Sequence, residues 1–167
     1  ISACLVGSEM CIRDRTYWHL DPDHVDCLEP GKRVRHTMNT VMALRDGKLA
    51  IVCGTPGADT QVQTNLQLLV HMIDAGYNTV EAVEAPRWRH LQDGTESTIP
   101  HTCDDELRLE GRFDGETAER LRRLGHNVTV IGSWEAAGSA MAVRRSADTG
   151  AIGGGADPRR DGYAIAW

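Results

Sequence analysis

The chain has 167 residues, 41% of them hydrophobic, which is enough for one ordinary core, and no extended low-complexity stretch. Its 18 basic residues against 24 acidic ones give a formal charge of −6, which excludes the basic field that nucleic acid or an anionic membrane would need. No apolar run approaches the roughly 20 residues of a membrane-spanning helix. The cysteines Cys4, Cys11, Cys27, Cys53 and Cys103 are odd in number and lack C-x-x-C spacing, so they suggest neither a disulfide framework nor a zinc site. His19 and His24, or His90 and His101, have no closing Cys or carboxylate pattern, and no metal ion is expected.

The opening stretch ISACLVGSEMCIRDR, residues 1–15, has no basic start with a long apolar middle and so does not read as a signal peptide. It is expected to be a foreign or unstructured head before a segment spanning residues 16–167, with a natural leader as the competing reading. From Val41, VMALRDGKLAIVCG reads as two strands joined at Asp46-Gly47, a dipeptide that tolerates the positive φ of a tight hairpin. The second strand, Leu49 to Cys53, is nearly all apolar and is expected to be central and buried on both faces. Next, Leu66, Leu69, Val70 and Ile73 recur at helical spacing, widened by Leu68 and Met72 and stopped near Gly76.

Asn78 and Glu81 form a capping box for a short helix that must end near Pro86, and residues 92–102 read as an exposed turn-rich stretch. DELRLEGRF alternates like a half-buried strand, and Asp114 caps a helix closed by Gly125. Strands are then expected around Val128 to Ile131, Ala140 to Arg144 and Ala151 to Gly153, the last two joined by the turn SADTG. The mixture of hairpins and helices favours a layered arrangement with much antiparallel pairing over a doubly wound parallel sheet. Arg120, Arg122 and Arg123 read as a solvated helix face. Asp157, Arg159, Arg160 and Asp161 read as a structural ion-pair turn, and Trp18, Trp88, Trp134 and Trp167 as core or interface anchors.

The stretch CGTPGADTQVQTNLQ, Cys53 to Gln67, turns a strand sharply into a helix through Gly54, Pro56 and Gly57. Such a corner leaves backbone N–H groups unpaired and has two readings, a turn that merely needs glycine or a cradle for an oxyanion or phosphate. No G-x-S-x-G elbow and no G-x-x-x-x-G-K-[ST] loop is present, and GGGADP at Gly153 to Pro158 lacks the Lys and the following helix.

Three stretches resemble the γ-glutamyltranspeptidase family: LDPDHVDCLEPGKR from Leu20 to Arg33, the run from His36 to His90, and GGADPRRDGYAIAW from Gly154 to Trp167. The ordered series PGKR, DGK, GTPG, EAVEAPR and GGADPRRDG carries the resemblance, which runs from about Thr16 to the end. It implies an α+β, four-layer αββα N-terminal nucleophile hydrolase fold, present here as an incomplete fragment, the later part of a small subunit. The implied chemistry is transfer or hydrolysis of γ-glutamyl or related acyl groups through an acyl-enzyme on an N-terminal Thr, without a metal or organic cofactor. That Thr is expected upstream of Thr16, so this chain alone is expected to be inactive. The implied partners are a γ-glutamyl or acyl-amide substrate, water or an amine acceptor, the missing large subunit and the missing start of the small subunit.

By position, the resemblance assigns the substrate-carboxylate contact to His36 and Thr37, where the family carries Ser-Ser. It assigns the oxyanion hole to the backbone N–H groups of Gly57 and Ala58, where the family carries Gly-Gly. Ala58 keeps the N–H, whereas His36 adds bulk where the carboxylate would sit and points toward acyl amides other than glutathione. His36 and Thr37 also fit as strand-entry residues bonded locally. The reading from another class is a non-catalytic anion-binding or structural α/β module. Classical members of the family are commonly exported; the compartment is left open by the sequence, and is periplasmic or extracellular if the protein is like them.

Overall fold

The computed structural model describes residues 22–23, 27, 29–32, 38–57, 60–91 and 105–165. One compact unit comprises Ile1–Met38 with Gln92–Asp104, and a turn at residues 29–32 is its clearest described feature, with Lys32 N donating to Glu29 O at 3.2 Å. The other comprises Asn39–Leu91 with Asp105–Trp167 and holds the helices and strands described below. The suspected head and the turn-rich stretch over residues 92–102 lie outside the described residues.

Strands β1 (Val41–Arg45) and β2 (Lys48–Gly54) form the expected hairpin, with φ of 51° at Asp46 and 73° at Gly47. Helix α1 (Thr60–Ile73) follows, then α2 (Thr79–Glu84). The capping box of α2 forms as expected: Asn78 Oδ1 accepts from Val80 N and Glu81 N at 2.9 Å, and Asn78 N donates to Glu81 Oε2 at 2.8 Å. Strands β3 (Trp88–Leu91) and β4 (Glu106–Glu110) pair antiparallel. Helix α3 (Gly115–Arg123), capped by Asp114, leads to β5 (Asn127–Ile131), which lies parallel to β4. Strands β6 (Met141–Arg145) and β7 (Ile152–Ala156) complete a four-stranded antiparallel sheet of order β1-β2-β6-β7, beside the three-stranded sheet β3-β4-β5. GGGADP is therefore mostly strand rather than a phosphate loop.

Strand β2 is central, as expected, but it is not buried on both faces. Ile51 and Cys53 pack against Leu68 and Met72 of α1 and Ala82 and Val83 of α2. On the opposite face Met42, Val143 and Met141 are exposed and Val52 is half-buried, because no described element covers that side. An apolar sheet with one bare face fits one half of a sandwich of two sheets.

Helix α1 packs on one edge of the predicted stripe, through Leu68 and Met72 with Leu69 beside them, and not on its middle. Thr64, Leu68 and Met72 turn inward, whereas Val62, Leu66, Val70 and Ile73 are exposed. A second side of the helix is given to amides, which satisfy backbone groups of β3. Gln63 Oε1 accepts from His90 N at 2.8 Å and its Nε2 donates to His90 O at 2.9 Å. One turn on, Gln67 pairs in the same way with Trp88 N and O, both at 3.0 Å. The two side chains thus serve the edge of β3 that β4 leaves open.

Replacing Gln67 by Leu removes both partners of Trp88 at a buried position and is expected to cost about 1–3 kcal/mol. Urea unfolding measures this, and an unchanged midpoint would mean that water serves the β3 edge equally well.

Candidate active site

The corner between β2 and α1 is built from two threonines and a glycine. Thr55 Oγ1 accepts from Ser139 N at 3.1 Å and donates to Pro56 O at 2.8 Å. Gly57 has φ of 138°, a conformation that L residues rarely adopt, and a Cβ there would collide with Thr60 Oγ1. Its carbonyl accepts from Thr60 N at 2.9 Å and from Thr60 Oγ1 at 2.7 Å. Thr55 and Thr60 are buried while Pro56 and Gly57 are exposed, so the side chains anchor the turn and its backbone faces outward. Gly57 is thus placed at a strand-to-helix corner, as the sequence predicts. Ala58, His36 and Thr37 lie outside the described residues.

Two further amides of α1 fix its first turns to the entry of β1. Gln61 Oε1 accepts from Asn39 N at 3.0 Å, and Asn65 Nδ2 donates to Asn39 O at 2.5 Å.

Behind the corner lies a buried ion network. Arg159 uses all five guanidinium N–H groups: toward Glu110 from Nε at 2.6 Å and Nη2 at 2.5 Å, toward Asp157 from Nη1 at 3.0 Å, and toward the Val83 and Ala85 carbonyls at 3.0 and 2.9 Å. Glu110 also accepts from Arg87 N, Ala136 N and Arg112 Nη2 at 3.0, 3.1 and 2.8 Å. Asp157 accepts from Ala140 N at 2.8 Å, and Arg87 Nη1 lies 2.6 Å from its Oδ2, an ion contact without hydrogen-bond alignment. A Cβ on Gly138 would lie 2.6 Å from Thr55 Oγ1 and 3.9 Å from Arg87 Nη1, so this loop is wedged between the corner and the network.

Burial by itself would raise the Glu110 carboxyl, but hydrogen bonds from Arg159 and the Arg87 and Ala136 N–H groups outweigh it and hold it below the usual carboxylate range. Burial would likewise raise Asp157, and the Ala140 N–H, Arg87 and Arg159 hold it low. The expected ion-pair turn is thus present for Asp157 and Arg159 only; Arg160 and Asp161 are exposed. The sequence reading missed Glu110 and Arg87. Glu110 sits in an alternating strand where a charge reads as solvent-facing, and its partner lies 49 positions away.

Other expectations resolve simply. Arg122 pairs with Glu119 at 2.6 Å on the exposed side of α3, while its Nη2 also bonds Val128 O at 3.0 Å. Trp134 lies under Arg112, whose guanidinium is 3.5 Å from the ring centroid, a cation–π anchor of the network rather than a substrate platform. Cys53 is a buried thiol whose pKa is pushed up to about 11 by burial, which makes it a poor nucleophile. Among the described residues there is no His, Cys, Asp and Glu cluster able to hold a metal and no helix long and apolar enough to cross a membrane.

Comparison with known proteins defines the class first. The solved structure of cephalosporin acylase from Bacillus halodurans superimposes with a TM-score of 0.74 and 31% identity, over 90% of this chain and 26% of that one. The fold is that of an N-terminal nucleophile hydrolase, of which these residues form a part. The gamma-glutamyltranspeptidase family profile matches residues 9–167, and the chain belongs to that family. It is 35% identical over 150 residues to the glutathione hydrolase-like YwrD proenzyme of Bacillus subtilis (strain 168), covering 90% of this chain. It is 39% identical over 150 residues to the oxamate amidohydrolase proenzyme of Klebsiella pneumoniae subsp. pneumoniae, covering 89% of this chain. The chain spans 27% of the length of each of these two relatives.

Glu110→Leu leaves Arg159 buried without its main partner and is expected to cost about 3–5 kcal/mol. Because Glu110 and Asp157 are held low, their contribution is complete above the ordinary carboxyl values near pH 4 and drains away as pH falls further. Stability measured against pH should therefore drop below about pH 4 in the parent chain and fall less steeply in Glu110→Gln.

Proposed function

We propose that the full-length protein carrying this segment transfers or hydrolyses γ-glutamyl or related acyl groups through an acyl-enzyme on an N-terminal Thr lying upstream. The observation that carries this reading is the Gly57 corner, a positive-φ, outward-facing backbone turn anchored by buried threonines, within a chain that belongs to the γ-glutamyltranspeptidase family. Attack on an amide generates a tetrahedral oxyanion, and the N–H groups of Gly57 and Ala58 are assigned to stabilise it. His36 and Thr37 are assigned to the carboxylate or equivalent polar end of the acyl group. The reaction needs proton transfer and fixed dipoles, which the protein supplies without a metal or organic cofactor.

The partners in this reading are a large subunit, the N-terminal part of the small subunit, an acyl-amide substrate and water or an amine acceptor. The names of the relatives, a glutathione hydrolase-like protein, an oxamate amidohydrolase and a cephalosporin acylase, share amide-bond chemistry and differ in the acyl group. His36 in place of Ser favours an acyl amide other than glutathione.

The test is turnover of a panel of γ-glutamyl and other acyl anilides by the full-length polypeptide, with none expected from this chain by itself. Ala58→Gly should preserve or raise kcat, while Ala58→Pro, which deletes one N–H, should lower it by about 100- to 1,000-fold. Full activity in Ala58→Pro would reduce the corner to a turn.

A further inference from the structure

We propose that the Thr55 and Thr60 hydroxyls are positioning groups that aim the two backbone donors of the oxyanion corner, an inference that rests on the functional reading above. A peptide unit is planar and trans, so its carbonyl and the N–H on its far side point in opposite directions. The Pro56 carbonyl shares its plane with the N–H of Gly57 and accepts from Thr55 Oγ1 at 2.8 Å. The Gly57 carbonyl shares its plane with the N–H of the next residue and accepts from Thr60 Oγ1 at 2.7 Å. The Thr55 hydroxyl thus holds the back of one plane, and the Thr60 hydroxyl, together with the Thr60 N–H at 2.9 Å, holds the back of the other, which biases the direction of the N–H at each front. The stretch TPGADT, residues 55–60, is a pair of peptide planes with a clamp at each end.

Neither hydroxyl is doing the ordinary work of a helix cap. A capping hydroxyl accepts from an N–H of the first turn, whereas Thr60 Oγ1 donates backward to a carbonyl before the helix. Both threonines are buried, so the two hydroxyls are drawn from the interior side of the turn. Thr55 is itself held by Ser139 N, in the loop wedged against Arg87 and its ion pair, which ties the clamp to the rigid interior. Fixed donors help because they need no reorganisation when charge develops. That charge exists only in the transition state, so a loosened plane should lower kcat and leave substrate binding alone.

The test uses the full-length polypeptide and the anilide it turns over best. Thr60→Val keeps the branched shape and the backbone donor but deletes the hydroxyl, and kcat should fall about tenfold with KM within about twofold. Thr60→Ser restores the donor and should return kcat to within about twofold of the parent. Thr55→Val also orphans Ser139 N, so its loss of kcat should come with a lower Tm, while Thr55→Ser retains both. If Thr60→Val fails to accumulate, Thr60→Ala adds no bulk and carries the same expectation. Unchanged kcat in Thr60→Val, or a rise in KM at constant kcat, overturns the clamp while a loss of turnover in Ala58→Pro leaves the functional reading standing. Full turnover in Ala58→Pro overturns both.

Discussion

The structure turns on one guanidinium. Arg159 is buried with all five donors satisfied, and its partners come from β4, from the end of α2 and from Asp157 just after β7. These elements belong to both sheets, so the interaction is the point at which the two sheets and α2 are held together. Such a group is stable only when every polar neighbour is paired, since each unpaired charge in the interior costs several kcal/mol in effective desolvation. The backbone N–H groups of Arg87, Ala136 and Ala140 complete the pairing.

The same logic of polar groups answered by backbone governs α1. Gln61 and Asn65 reach Asn39, Gln63 and Gln67 on another side reach His90 and Trp88, Leu68 and Met72 pack in the core, and Leu66, Val70 and Ile73 are left outward. The outward stripe and the bare face of the four-stranded sheet both mark a chain that spans 27% of its relatives' length.

Corner and network are one mechanical unit. Gly57 is exposed, Thr55 and Thr60 hold the two carbonyls of its turn, and the loop at Gly138 and Ser139 joins it to the Arg87 and Asp157 pair. In the proposed reading, a site that stabilises transient charge must not relax toward it, and a turn tied to a hydrogen-bonded ion network suits that requirement.

Local chemistry was legible in the sequence. The Asp46-Gly47 hairpin, the Asn78 and Glu81 capping box, the Asp114 cap and the glycine corner each depend on residues within a few positions, where spacing fixes geometry. The ordered motifs from PGKR to GGADPRRDG were enough to identify the family, which the match over residues 9–167 bears out. Which face of α1 turns inward, which side of β2 is bare and why Glu110 is buried were decided only in three dimensions. Periodicity records that a helix or strand has an apolar side, but not that a backbone edge elsewhere needs its amides or that an arginine 49 residues on will neutralise its carboxylate. Those partners meet only once the chain has folded, and long-range pairing of charge leaves no local periodic signal.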